Sequence, residues 1–128
     1  MKSLLLSIVG CSALALAQNA TPAKVDPADA KNHIGETAVV CGKVVDVKVS
    51  KYGIAKHGKP VQFDVDQPAP NPVFYFVAFG SQEGGPDEVV AAYNGKRVCV
   101  TGKINQISTG PFIMAADRAQ VKVDAATK

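Results

Sequence analysis

Tryptophan is absent from this chain, and methionine and histidine occur only twice each among its 128 residues. Two histidines, His33 and His57, far apart in the sequence, leave no room for a His-rich metal site or an H-E-x-x-H helix. A phosphate-cradling Gly loop ending in Lys-Ser/Thr is missing too, as is a nucleophile elbow, so the chain is not expected to be an enzyme. No apolar run reaches the roughly 20 residues that a bilayer span needs. Three cysteines are too few for a recognised zinc spacing, and no metal or cofactor is expected. The formal charge of +3 permits contact with a polyanion without demanding it. What is present is a 47% hydrophobic composition, rich in Val and Ala, which excludes a disordered tail protein and suits one small core.

The N-terminal end carries targeting features. Lys2 precedes an apolar stretch containing Leu4, Leu5, Leu6, Ile8, Val9, Leu14 and Leu16, and Ala15-Leu16-Ala17 forms a small-x-small cleavage site. Residues 1–17 are therefore expected to be a cleaved signal peptide, and the protein secreted or periplasmic. A second reading takes Ile8-Val9-Gly10-Cys11 as a lipoprotein box, with the chain lipid-anchored through Cys11. In either case the mature chain has no transmembrane segment. Residues 18–25 read as a flexible spacer and 26–128 as one domain.

Within that domain, Asp26 followed by Pro27 and helix formers predicts a short helix over 27–33, stopped by Gly35. Thr37–Val49 is the first long strand, with mid-strand Gly42 marking a bend or bulge. Val61, Phe63 and Val65 alternate with Gln62, Asp64 and Asp66 as the second strand. Three prolines between Gln67 and Pro72 make a rigid turn, and 73–79 is a third strand, apolar on both faces. Asp87–Tyr93 reads as a helix ended by Asn94-Gly95. Lys96–Ile107 is the fourth strand, and Phe112–Met114 with Gln120–Val123 an interrupted fifth. The expected fold is all-β: a five-stranded Greek-key barrel of the OB type, with one short helix between strands three and four and another at the N-terminus. That topology makes strands one and four neighbours. It sets Cys41 against Cys99, the two cysteines left in a mature chain, as a disulfide.

Several segments also resemble a known family. His33-Ile34-Gly35-Glu36 leading into Val40-Cys41-Gly42-Lys43-Val44-Val45, Pro70-Asn71-Pro72-Val73-Phe74, and Gly95 through Ile104 are similar to small bacterial OB-fold proteins of the tRNA-anticodon-binding-like, nucleic-acid-binding type. The resemblance spans residues 28–123 and implies binding of oligonucleotides. Asp64 and Asp66 depart from it by placing negative charge beside the usual binding face.

Five lysines lie between positions 43 and 59 against the single acid Asp46. Lys51, Lys56 and Lys59 crowd the first loop with Tyr52. In an OB barrel that loop, the loop between strands four and five and the face of strands two and three form the groove. If Phe74, Phe76 and Ala78 point inward, Tyr75 and Phe79 stand on the outer face to stack bases, with Ser108 and Thr109 at the far lip; the opposite phase buries Tyr75. Expected partners are single-stranded DNA or RNA, bound weakly and without strict sequence preference by a monomer. The alternative is a module for a protein or envelope ligand with no nucleic-acid role. His33 reads as structural, His57 as solvated, and the carboxylates of Asp64 and Asp66 as a poor pair for a hard cation.

Overall fold

A computed structural model describes residues 21–51, 58–68, 71–79 and 86–124. The leader expected over 1–17, and Tyr52, Lys56 and His57, lie outside the described residues. The fold is mostly β. Its strands are β1 (Ala23–Val25), β2 (Thr37–Val49), β3 (Pro60–Val65), β4 (Phe74–Phe79), β5 (Arg97–Ile107), β6 (Gly110–Met114) and β7 (Val121–Val123). Among the described residues one α-helix, α1 (Pro86–Tyr93), lies between β4 and β5 in the chain.

The seven strands form one sheet in the order β1-β2-β3-β4-β6-β5-β7, and β5 pairs in addition with β2. Starting at β2, the ladder therefore runs through β3, β4, β6 and β5 and returns to β2. Every pairing in that circuit is antiparallel except β4 with β6. The length of β2 makes the circuit possible. Residues 37–43 pair with β5 and residues 44–49 with β3, and the register shifts between Val44 and Asp46 at the handover. The irregularity expected at Gly42 thus falls just beyond it. Gly42 answers a different demand, close packing: a Cβ there would meet Val65 Cγ1 at 2.5 Å and Asp66 Oδ1 at 2.8 Å. Asp66, in the left-handed region at φ 64°, bridges the same place, its N–H donating to the Lys43 carbonyl and its carboxylate accepting the Lys43 N–H. Asp tolerates this conformation better than most residues.

Alternation along the strands fills the interior. Val40 and Val44 from β2, Val61, Phe63 and Val65 from β3, Phe74 and Phe76 from β4, Val98, Val100 and Ile104 from β5 and Ile113 from β6 are all within 1% of full burial. Phe63 stacks on Phe76 with ring centroids 4.8 Å apart, and Tyr93 of α1 meets both rings edge-on at 5.5 and 5.9 Å. The helix is thereby fastened to the core through its last residue and Val89.

Cys41 and Cys99 are direct partners across β2 and β5 and form a disulfide, S–S 2.08 Å. The bonds Val44 N–H to Lys96 C=O and Ile104 N–H to Glu36 C=O put even-numbered residues of β2 at hydrogen-bonded positions. Cys41 therefore falls on a non-hydrogen-bonded pair, where strands bring Cα atoms closest, here 4.0 Å.

Two expectations change. Of the segment read as a flexible spacer, Ala23–Val25 pairs in parallel with residues 38–40 as β1, and Val25 joins the core. The N-terminal helix is a 3-10 helix over Pro27–Asn32, and Asp26 makes no side-chain cap bond to it. The interrupted fifth strand consists of β6 and β7, which follow one another along the edge of β5 opposite β2, β6 beside residues 104–107 and β7 beside residues 98–100. Between them Asp117 and Gln120 close a capping box around a 3-10 turn that redirects the chain.

Candidate nucleic-acid interface

Residues paired directly across a sheet share a face, so the register alone maps the outer surface of β2, β3, β4, β6 and β5. One row reads Asp46, Asp64, Tyr75, Phe112, Asn105. The next reads Lys48, Gln62, Val77, Met114. A third pairs Pro60 with Phe79. The phase of β4 is the first of the two considered, since Phe74, Phe76 and Ala78 belong to the core and Tyr75 and Phe79 face the other way.

Tyr75 and Phe79 are nevertheless covered, at 3% and 6% exposure. The Tyr75 ring is stacked on Phe112 at 5.3 Å with the planes 12° apart, and its hydroxyl shares a 2.7 Å hydrogen bond with Thr109 Oγ1. Phe112 is half-buried and is the more accessible ring of the pair. Thr109 is exposed beside Ser108 in the turn between β5 and β6, so the structure joins Tyr75, Thr109 and Phe112 at one end of the face.

At the other end a cleft of about 230 Å³ is lined by Lys48, Val49, Ser50, Pro60, Gln62 and Val77. Exposed Lys51 follows it in the chain, and exposed Lys59 precedes Pro60. Four residue steps along β4 separate the Tyr75 row from the Phe79 row, a distance of about 13 Å by strand rise.

Negative charge on this face comes from Asp46 and Asp64. Asp64 is fully buried; Oδ1 accepts from Gln62 Nε2 at 2.8 Å, whereas Oδ2 has no hydrogen-bond partner among the described residues. Asp66, expected to lie alongside Asp64, instead sits past the end of β3 with its carboxylate on Lys43 N–H. The two carboxylates do not converge on one site. His33 bonds through Nδ1 to Glu36 Oε1 at 2.9 Å, away from this face. Among the described residues no three Asp, Glu, His or Cys side chains are grouped to hold a metal ion.

Sequence reasoning missed Phe112, Gln62 and Asn105, and it counted Lys48 only as part of the lysine run. Phe112-Ile113-Met114 is apolar at every position, so alternation cannot tell which residue faces outward. Only the parallel register with β4 decides it.

No protein-family model matches the chain, and neither does any curated protein. Two solved structures are similar in outline. A candidate aspartyl-tRNA synthetase from Leishmania major Friedlin superposes over 92% of this chain with a TM-score of 0.47 and 7% identity, and the chain spans 22% of its length. A candidate nucleic acid-binding lipoprotein from Klebsiella pneumoniae subsp. pneumoniae superposes over 77% of this chain and 78% of its own, with a TM-score of 0.43 and 24% identity.

Proposed function

We propose that this chain is an exported, non-catalytic binding module built on an OB-type barrel, and that the outer face of β3, β4 and β6 takes single-stranded nucleic acid weakly and with little sequence preference. The barrel reading is supported by the pairing circuit β2-β3-β4-β6-β5, with its single parallel pair and with α1 between β4 and β5 in the chain. Export is supported by a disulfide, which persists in oxidising compartments. No helix among the described residues is long and apolar enough to cross a membrane.

The observation that carries the functional reading is the stacked Tyr75–Phe112 pair set beside a lysine-edged cleft on one sheet face. Phe112 offers a base its π-face, and Tyr75, held by Thr109, keeps that ring in place. Lys48, Lys51 and Lys59 neutralise phosphates, while Gln62 and Asn105 offer hydrogen bonds to any base. Asp46 repels the same phosphates, which keeps the affinity low.

Titration of the protein with labelled single-stranded DNA and RNA at two salt concentrations tests this. Affinity is expected to fall steeply with salt, to vanish in the Lys51→Glu/Lys56→Glu/Lys59→Glu variant, and to drop roughly 5- to 100-fold in Phe112→Ala, the worth of one stacked base. Salt-insensitive capture of a protein partner with no oligonucleotide binding would replace this reading with that of a protein-binding module.

A further inference from the structure

A second basic surface lies toward the N-terminal ends of β2 and β5, next to the face already described. The register again defines it. Lys24 of β1 pairs with Val39, Cys41 with Cys99 and Cys99 with Lys122 of β7, Lys43 with Arg97, and Thr37 with Lys103. The intervening residues Val25, Val40, Val98, Val100 and Val121 are buried in the core, so this set points outward. Lys24, Lys43, Arg97, Lys103 and Lys122 are all exposed, and they surround the half-buried disulfide. The only carboxylate in the set is Asp124, whose Oδ2 lies 3.4 Å from Arg97 Nε. Asp66, which accepts the Lys43 N–H, faces the other side of β2 beside Gly42. Outside this face the described residues carry six Lys and Arg against nine Asp and Glu. The positive excess of the described residues is therefore concentrated on one sheet face.

Local structure does not account for it. Lysines on edge strands discourage sheet-to-sheet pairing, which explains Lys24 on β1 and Lys122 on β7. Lys43 and Arg97, however, are direct cross-strand partners on the two central strands of this face, where like charges oppose folding. A surface that keeps such a pair fits an anion. The face carries no aromatic ring for a base to stack on, and along β2 Asp46 stands between Lys43 and Lys48 of the lysine-edged cleft.

We propose that the β1-β2-β5-β7 face is a docking surface for an anionic lipid bilayer. Docked this way, the protein lies with its disulfide toward the headgroups. The ammonium and guanidinium groups gain from the negative surface potential, each cation changing the partition by roughly fivefold at low salt. The first described strand, β1, brings Lys24 within 13 positions of Cys11. A lipid on Cys11 and this face would then act as the two signals that stable membrane attachment takes.

The test is co-sedimentation of the full chain with vesicles of phosphatidylcholine alone and vesicles with about 30% phosphatidylglycerol, a charge density that gives a strong surface potential. Any contribution from the apolar N-terminal segment is common to both. The full chain is expected to bind the anionic vesicles at least about tenfold more tightly at low salt, with the difference abolished in high salt. Lys24→Glu/Lys103→Glu/Lys122→Glu should lose that difference while keeping its disulfide, its melting point and its oligonucleotide affinity. Lys31→Glu, on the N-terminal 3-10 helix, should keep it. Equal binding to both vesicle types, or a triple variant that still prefers anionic vesicles, overturns the proposal. So does a triple variant that loses oligonucleotide binding, which would assign the face to nucleic acid. Vesicle preference in a protein that binds no oligonucleotide would leave this proposal standing and remove the one about the Phe112 face.

Discussion

Gly42 and Phe112 illustrate what a single residue can reveal and conceal. Gly42 inside a Val-rich strand reads as a bend or bulge, and the register shift falls just beyond it instead. Its close packing was not legible, because the atoms that crowd it come from residues 27, 65 and 66. Gly42→Ala would drive a Cβ against Val65 Cγ1 at 2.5 Å and Pro27 Cγ at 3.0 Å, with the Asp66 carboxylate also in the way. The variant should be less stable by about 1–3 kcal/mol, as overpacked sites generally are, read as a lower urea midpoint at unchanged slope. Phe112 is the reverse case. Its neighbours are equally apolar, so its outward placement depends on a partner 37 residues earlier in the chain. Tyr75 was legible as an outward-facing ring, but its burial against Phe112 and Thr109 was not, since both contacts are made across strands.

At the scale of elements, strands with long alternation or strong terminators could be read directly. Thr37–Val49 is found with the expected bounds, and Asn94-Gly95 ends α1 where expected, with Gly95 at φ 75°. Three-residue elements defeated the same reasoning. Ala23–Val25 has too few residues to show a period, and it is a strand because Val25 finds a place in the core beside β2. The turn at Asp117–Gln120 was equally hidden, because a capping box before so short a helix has no apolar run to announce it. The cysteine pairing was legible because two cysteines remain in an exported chain and the strand order independently made their strands neighbours. That bond closes a segment of 58 residues, for which the chain-entropy model gives a stabilisation of about 4 kcal/mol. Cys41→Ala/Cys99→Ala should therefore lose about 2–4 kcal/mol and melt on the order of 15 °C lower by calorimetry, and reducing agent should have no further effect on it.

For the whole molecule, the useful quantity is where charge and rings sit, not how much of either there is. A formal charge of +3 discriminates between no functions. Its distribution does: an open basic face around the disulfide, and beside it along β2 and β5 a face where lysines, carboxylates and a ring pair are mixed. The two proposals give these surfaces different anions, a bilayer that needs only charge and a strand whose bases need rings. The sequence could suggest the lysine-rich first loop but not the basic face, because its five cations come from positions 24, 43, 97, 103 and 122 and meet only through strand register.

Amide and aromatic-ring NMR shifts followed during titration with a short single-stranded oligonucleotide test the central functional claim most directly. The account predicts that the Phe112 ring and the amides of Lys48, Gln62, Val77 and Thr109 move together in a salt-dependent titration, while Lys24, Thr101 and Lys122 stay in place. Perturbation confined to β1, β5 and β7, or none anywhere at low salt, would contradict it.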